Sequence, residues 1–319
     1  MHKTLTNSVF NKFEKLAQSV CLLAIDVGAR GSVKDDLSAI RRGVDWLCLE
    51  PDKSAQINKK NKGWRSINYI PLGAAAQTQS FKLNLYKQRG CSSKFEADTT
   101  IAARFSREEY FLLENQVDVK ARPLDDLVRE YTEIPPAFIK IDVQGMEVEC
   151  FAGAYNLLKN QIVAVRTEVS FLPVYRNQPL FAEVDLALRP FGFQPMQWIE
   201  CHEWRRMTRA KLPKLWDGPV PYSKGQLAHG DILYMLQPED LQSELEEEIQ
   251  RIIRLGLISV CYHLFDNARS AFGRPEVREY CRSKTGDDPI DLLIQLSNQY
   301  ALNFKGWRKL VRKLLNKLV

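Results

Sequence analysis

The sequence contains no C-x-x-C pair. Its seven cysteines, Cys21, Cys48, Cys91, Cys150, Cys201, Cys261 and Cys281, are odd in number and stand singly. That pattern excludes a zinc ribbon, a dithiol redox couple and a complete disulfide framework. Reduced, mostly buried thiols are expected. No apolar run approaches the roughly 20 residues of a membrane-spanning helix, and Met1 to Phe10 lacks the apolar core of a signal peptide. A cytoplasmic chain is therefore expected. No repeat of fixed period is visible. A D-x-D pair is missing where a nucleotide-sugar metal site would need one, which counts against a glycosyltransferase, and G-x-G-x-x-G is missing after the first apolar strand.

What remains is ordinary globular composition, 45% hydrophobic and 26% charged over 319 residues, long enough for about two domains. The net charge of +6 is concentrated. Lys305, Arg308, Lys309, Arg312, Lys313 and Lys317 sit in the last fifteen residues without an acid, and equal the whole excess. A broad nucleic-acid surface is thereby disfavoured. In the same tail Trp307, Leu310, Val311, Leu314, Leu315 and Leu318 recur at spacings of three and four, the pattern of an amphipathic basic helix. Two readings stay open for it: packing on preceding helices, or interfacial binding to anionic lipid at the inner face of a membrane.

Apolar runs of strand length, "CLLAIDV", "VDWLCLE", "SINYIPL", "AFIKIDV", "IVAVRTEV", "GFQPMQWIE" and "DILYML", alternate with helical patterns near 33–42, 54–61, 123–131, 146–159 and 180–190. Such alternation predicts an α/β fold, a mostly parallel sheet with helices on both faces. Residues 80–119 break the rhythm and are read as an insertion at the sheet edge or over the cleft. From Pro238 the pattern is purely helical. The expected division is 1–238 for the sheet domain and 239–319 for a helical C-terminal region.

In doubly wound sheets, ligands sit beyond the carboxyl ends of the strands. The first such end reads "IDVGARG", with Asp26, Gly28, Ala29, Arg30 and Gly31. A carboxylate there repels a pyrophosphate but favours an ammonium or sulfonium. The second end reads "LEPD", with Glu50, Pro51 and Asp52; Glu50 is placed to accept both hydroxyls of a ribose. Together they describe an S-adenosylmethionine site. For either acid alone, capping a helix is the plain alternative; joint placement after successive strands weakens it.

A third strand end, "PAFIKIDVQGMEVECFAGAYNLLKN", turns at Asp142, Gln144 and Gly145 into a helix whose Val148, Phe151 and Leu158 face the sheet. This block resembles the FkbM family of S-adenosylmethionine-dependent methyltransferases, whose hallmark reads approximately "iKiDvEG-E" followed by "L-Ga". The resemblance extends through "IDVGA", "LEPD", "CSS", "RPLDDL", "RTEVSFLPVYRNQPLFAEV" and "FGF", roughly residues 20 to 236. It implies a Rossmann-like methyltransferase acting on a hydroxyl of a sugar, a glycan or a secondary metabolite, and the lipid reading of the basic tail would suit a lipid-linked glycan acceptor. Two departures stand out: Gln144 where the family usually has Glu, and "GARGS" where "GAN-x-G" is usual. Arg30 either contacts the cofactor carboxylate or faces solvent.

Methyl transfer from a sulfonium is an in-line displacement that needs an aligned acceptor oxygen and a proton acceptor. Asp142 is the first candidate for acceptor orientation or base, against the alternative that it only holds the turn. Glu168, in "VRTEVS", stands beside it. A divalent metal between the two carboxylates is chemically admissible without being an expected cofactor. His229, in "LAHGDILYM", is a base by position and intrinsic pKa, with a surface-loop histidine as the alternative. His202 and His263 have less context, and Ser92 and Ser93 match a family serine pair. Besides an O-methyltransferase, a non-catalytic binding module that keeps the fold is kept open by Gln144 and the altered glycine turn.

Overall fold

The computed structural model describes residues 2–31, 33–52, 63–206 and 224–301, with side chains from Ser8 onward. The basic tail, the helical pattern at 54–61 and Ser32 lie outside the described residues.

All seven expected strands form one sheet: β1 (Leu22–Val27), β2 (Val44–Leu49), β3 (Ser66–Ile70), β7 (Pro136–Ile141), β8 (Ala164–Ser170), β9 (Gln194–Trp204) and β10 (Gln226–Met235). The order is β3-β2-β1-β7-β8-β10-β9, parallel except for β10, which runs antiparallel to both neighbours. Strands β1, β2 and β7 are buried along their whole length, as expected when helices cover both faces. The order reverses between β1 and β7, so the chain leaves the carboxyl ends of these two neighbours toward opposite sides, the place where such sheets hold ligands.

Residues 80–119 belong to a second, three-stranded sheet, β4 (Gly73–Ala74), β6 (Leu113–Arg122) and β5 (Gln79–Tyr86) in that order, with the short helix α2 (Thr99–Ala103). Its small core of Tyr86, Phe105, Phe111 and Tyr175 reaches Trp204 of β9, which sets the insertion over the cleft.

Two helical expectations are corrected. At 33–42 only a short 3-10 turn forms, Ser38–Gly43, and Asp36 is drawn to Arg166 at 2.5 Å. The pattern at 146–159 is two helices, α4 (Glu147–Ala152) and α5 (Tyr155–Asn160), after α3 (Leu124–Tyr131). Gly153 breaks it because the Ala75 carbonyl approaches so closely that a Cβ would lie 2.1 Å from it. Asp125 then accepts the backbone N–H of Asn156 at 2.9 Å and of Leu157 at 3.0 Å, capping α5 from a distant part of the chain. A first helix, α1 (His2–Ser19), also forms, and α6 (Phe181–Leu188) matches the pattern at 180–190.

Beyond the sheet come α7 (Glu246–Cys261), α8 (Phe265–Phe272) and α9 (Pro275–Thr285). Glu248 accepts the N–H groups of Glu244 and Leu245, so the acidic stretch closes the start of α7. Ile252, Ile253, Leu255 and Ile258 of α7 are fully buried in the same apolar cluster as β1 and β7. Among the described residues no helix is long and apolar enough to cross a membrane. The seven cysteines are unpaired; Cys48, Cys150 and Cys281 are buried, whereas Cys21 and Cys201 are exposed, contrary to the expectation of mostly buried thiols.

Candidate functional site

Backbone geometry explains the glycines that follow β1. Gly28 and Ala29 donate to the Leu49 carbonyl at 3.0 and 3.1 Å, while Asp142 donates to the Val27 carbonyl at 3.1 Å. Gly28 has φ +80°, and a Cβ there would lie 2.1 Å from the Asp142 carbonyl oxygen. Only glycine permits this three-strand junction. Gly31 is also left-handed, at φ +87°.

The carboxylate of Asp26 faces a cation of the protein itself. Asp26 and Lys140 are in register across β1 and β7 and so share a face. Lys140 Nζ lies 3.2 Å from Asp26 Oδ1 and 3.4 Å from Asp142 Oδ2. Burial disfavours the ammonium, but Asp26 and Asp142 outweigh it and hold Lys140 above its ordinary range. Burial pushes Asp26 up, with Lys140 opposing. Asp26 is 1% exposed and Ala29 2%, and neither lines the adjoining cavity.

That cavity is narrow, about 140 Å³, and begins at Gly28 and Glu50. Arg30 and Pro51 complete this end, and Phe81, Leu83, Val119 and Met146 supply apolar walls. Glu50, 5% exposed, accepts the Asp52 N–H at 2.8 Å. Burial raises its carboxyl, with that hydrogen bond and Arg30 opposing. Arg30 reaches Asp52 at 3.6 Å. Asp52 and Gly31 are not part of the wall, so of the eight expected cofactor residues the cavity gathers Gly28, Arg30, Glu50 and Pro51. A carboxylate for a diol, apolar walls for a base and an arginine for a carboxylate fit S-adenosylmethionine chemically. The Ser92 hydroxyl in the same wall is buried without a partner among the described residues, a polar group left for a ligand.

A broader cleft of about 570 Å³ adjoins the cavity, and Asp142, Gln144 and Gly90 belong to both walls. Gln144, at φ +53°, is held by the Ser93 hydroxyl, which donates to its carbonyl at 2.6 Å. Its side-chain amide donates to Asp142 Oδ1 at 2.9 Å and to Glu168 Oε2 at 2.5 Å, and its Oε1 accepts from the Tyr175 hydroxyl at 3.1 Å. An ionised glutamate would be unable to bridge two carboxylates in this way. Behind the turn, Glu147 accepts the N–H groups of Val143 and Gly145; burial pushes its carboxyl up to about 7 against those bonds.

The expected catalytic residues converge. His229 Nδ1 lies 2.9 Å from Glu168 Oε1. Burial, then the neighbouring His202, lower the imidazole to about 4, so it is neutral near pH 7. Burial pushes Glu168 well up, aided by Asp142 and Glu147. Burial also disfavours the Asp142 charge, but Lys140 and the Gln144 amide more than offset it and keep this carboxyl below its ordinary range. His202 joins the site by stacking on His229, ring centroids 4.6 Å apart, because the two are paired across β9 and β10. His263 stacks instead on Tyr300, away from the cleft. Among the described residues no cluster of three or more His, Cys, Asp or Glu is arranged to hold a metal ion.

Sequence reasoning missed Lys140, Tyr175, Glu147 and Arg107, the last of which lines the broader cleft. The first and third stand inside the quoted strand-turn block, where a lysine in an otherwise apolar strand was the available signal.

The model of the methyltransferase FkbM domain matches residues 26–195. None of the curated proteins compared matches the sequence. Among solved structures, methyltransferase FkbM from Methylobacillus flagellatus KT is similar over 68% of this chain, at 14% identity and a TM-score of 0.33; the match spans 44% of that chain.

Proposed function

Because the chain belongs to the FkbM methyltransferase family, whose domain model matches more than half of its length, we propose that it is an S-adenosylmethionine-dependent O-methyltransferase. Its acceptor in this reading is a hydroxyl of a sugar, a glycan or a secondary metabolite. The observation that carries the reading is the meeting of two cavities at Asp142 and Gln144, with a carboxylate-lined pocket on one side and a histidine-carboxylate pair on the other. The helical region 239–319 is proposed as an addition to a methyltransferase domain spanning 1–238.

S-adenosylmethionine, when bound, supplies the electrophilic methyl group. Glu50 then holds the ribose hydroxyls, and Arg30 and Ser92 take polar groups of the cofactor. His229 accepts the acceptor's hydroxyl proton at Nε2, while Glu168, 2.9 Å from Nδ1, steadies the imidazolium that forms. Asp142, kept ionised by Lys140, orients the acceptor from the shared wall.

Two tests address the halves of the site. Glu50→Ala removes two charge-assisted hydrogen bonds, each worth roughly 1.5 to 3 kcal/mol, and should weaken S-adenosylhomocysteine binding at least about tenfold in calorimetry. Unchanged affinity would reject the ribose assignment. The second test is pH dependence. The base must be unprotonated, so the rate rises with pH as the Glu168–His229 pair releases its proton. Gln144→Glu adds a third carboxylate beside that pair, favours its protonation and should move the acid limb of kcat to higher pH by roughly one unit. A limb that stays in place would show that the pair is not the base.

A further inference from the structure

The cleft holds a cation that the proposed proton transfer does not use. Arg107 follows α2 in the insertion, and its guanidinium carbon lies 4.8 Å from the Trp204 ring centroid and 5.2 Å from that of Tyr110. Both aromatic residues line the acceptor cleft with it. Two rings occupy its surroundings, yet none of its side-chain N–H groups donates to a protein acceptor and no carboxylate pairs with it among the described residues. A guanidinium seated on aromatic rings keeps its in-plane donors available, a geometry suited to a carboxylate or phosphate.

The carboxylates of the cleft are already engaged. Asp142 and Glu168 hold the Gln144 amide, and Glu203 accepts the Gly225 N–H at 3.0 Å. Lys34 also lines this cleft, on the side of Asp142 and Glu200, whose charges it favours. Arg107 is separated from the proposed base by one ring, since Trp204 meets His229 edge-on at 6.0 Å. An oxyanion on Arg107 therefore places the rest of a small hydroxylated molecule across Trp204, with a hydroxyl toward His229.

We infer that the acceptor is anionic: a sugar or small polyol bearing a carboxylate or phosphate, which Arg107 binds while a hydroxyl faces His229. This inference rests on the methyltransferase reading of the cleft and adds the charge class of the acceptor to it.

The test titrates the full chain with S-adenosylhomocysteine first, then with D-glucuronate, D-glucose 6-phosphate and neutral D-glucose. The expected result is that at least one anionic sugar binds tenfold or more tightly than glucose, the stronger of the two identifying carboxylate or phosphate. Arg107→Met should erase the difference without changing S-adenosylhomocysteine affinity or melting temperature, and Arg107→Lys should retain part of it. Anionic sugars that bind no better than glucose, or a preference that survives Arg107→Met, would overturn the inference. If S-adenosylhomocysteine fails to bind while the Arg107-dependent preference persists, the anion site stands and the methyl-transfer reading falls.

Discussion

Replacing His229 by alanine is expected to lower kcat for methyl transfer by about 10²- to 10⁴-fold, the usual contribution of a positioned general base. S-adenosylhomocysteine affinity and melting temperature should stay near those of the parent chain. The side chain is 30% exposed on the cleft wall rather than in the apolar core, so its loss leaves no packed cavity. Glu168 keeps its hydrogen bond from the Gln144 amide when the imidazole is gone. The cofactor cavity does not include His229, which separates the effect on turnover from binding. Single-turnover measurements with the variant distinguish loss of chemistry from slow product release. A variant with an unchanged single-turnover rate would move the base to Asp142.

The second large effect concerns folding. Lys140→Met should destabilise the protein by about 3 to 5 kcal/mol, because it leaves two carboxylates without their cation, one of them 1% exposed. The loss should depend on pH in a defined direction. Burial already raises Asp26 in the folded state, and removing the ammonium raises it further. A carboxyl raised on folding favours the fold when protonated, and that contribution disappears as pH rises through the folded-state value. Lys140→Met is therefore expected to lose more stability at pH 8 than at pH 5. Adding Asp26→Leu should recover part of the loss, since an apolar pair replaces a broken ionic one. Urea denaturation of the three chains at both pH values measures this, and a loss under about 1 kcal/mol for the single variant would mean that Lys140 is not what neutralises Asp26.

The sheet was legible because its strands carry apolar runs interrupted by helical periodicity, and each of the seven quoted runs overlaps one of them. Where sequence reading went astray, the cause lies in a contact between distant segments. The single helix expected at 146–159 divides at Gly153 because the Ala75 carbonyl and the Asp125 carboxylate arrive from elsewhere in the chain. Asp26 looked like a ligand for a cofactor cation, since nothing local announces that Lys140 lies opposite it across two parallel strands. Strand β6 carries mostly exposed residues over its first half and has no apolar alternation there to announce it.

The candidate site divides in the same way. Glu50, Asp142, Glu168 and His229 were readable because each stands at or near a strand end on the edge where such sheets bind ligands. Gln144 appeared as a departure from a familiar motif, yet its amide provides the bridge between Asp142 and Glu168 that a second carboxylate would not. Tyr175 and Arg107 come from loops whose position follows from the small core of the insertion, and no spacing in the sequence places them.

The most direct measurement is a crystal structure of the full chain grown with S-adenosylhomocysteine. Density for the nucleoside in the cavity between Gly28, Glu50 and Met146, ribose on Glu50 and sulfur toward Asp142 and Gln144, is the expected result. Density at any other place, or crystals and solution titrations that both show no binding, would contradict methyl transfer at this site.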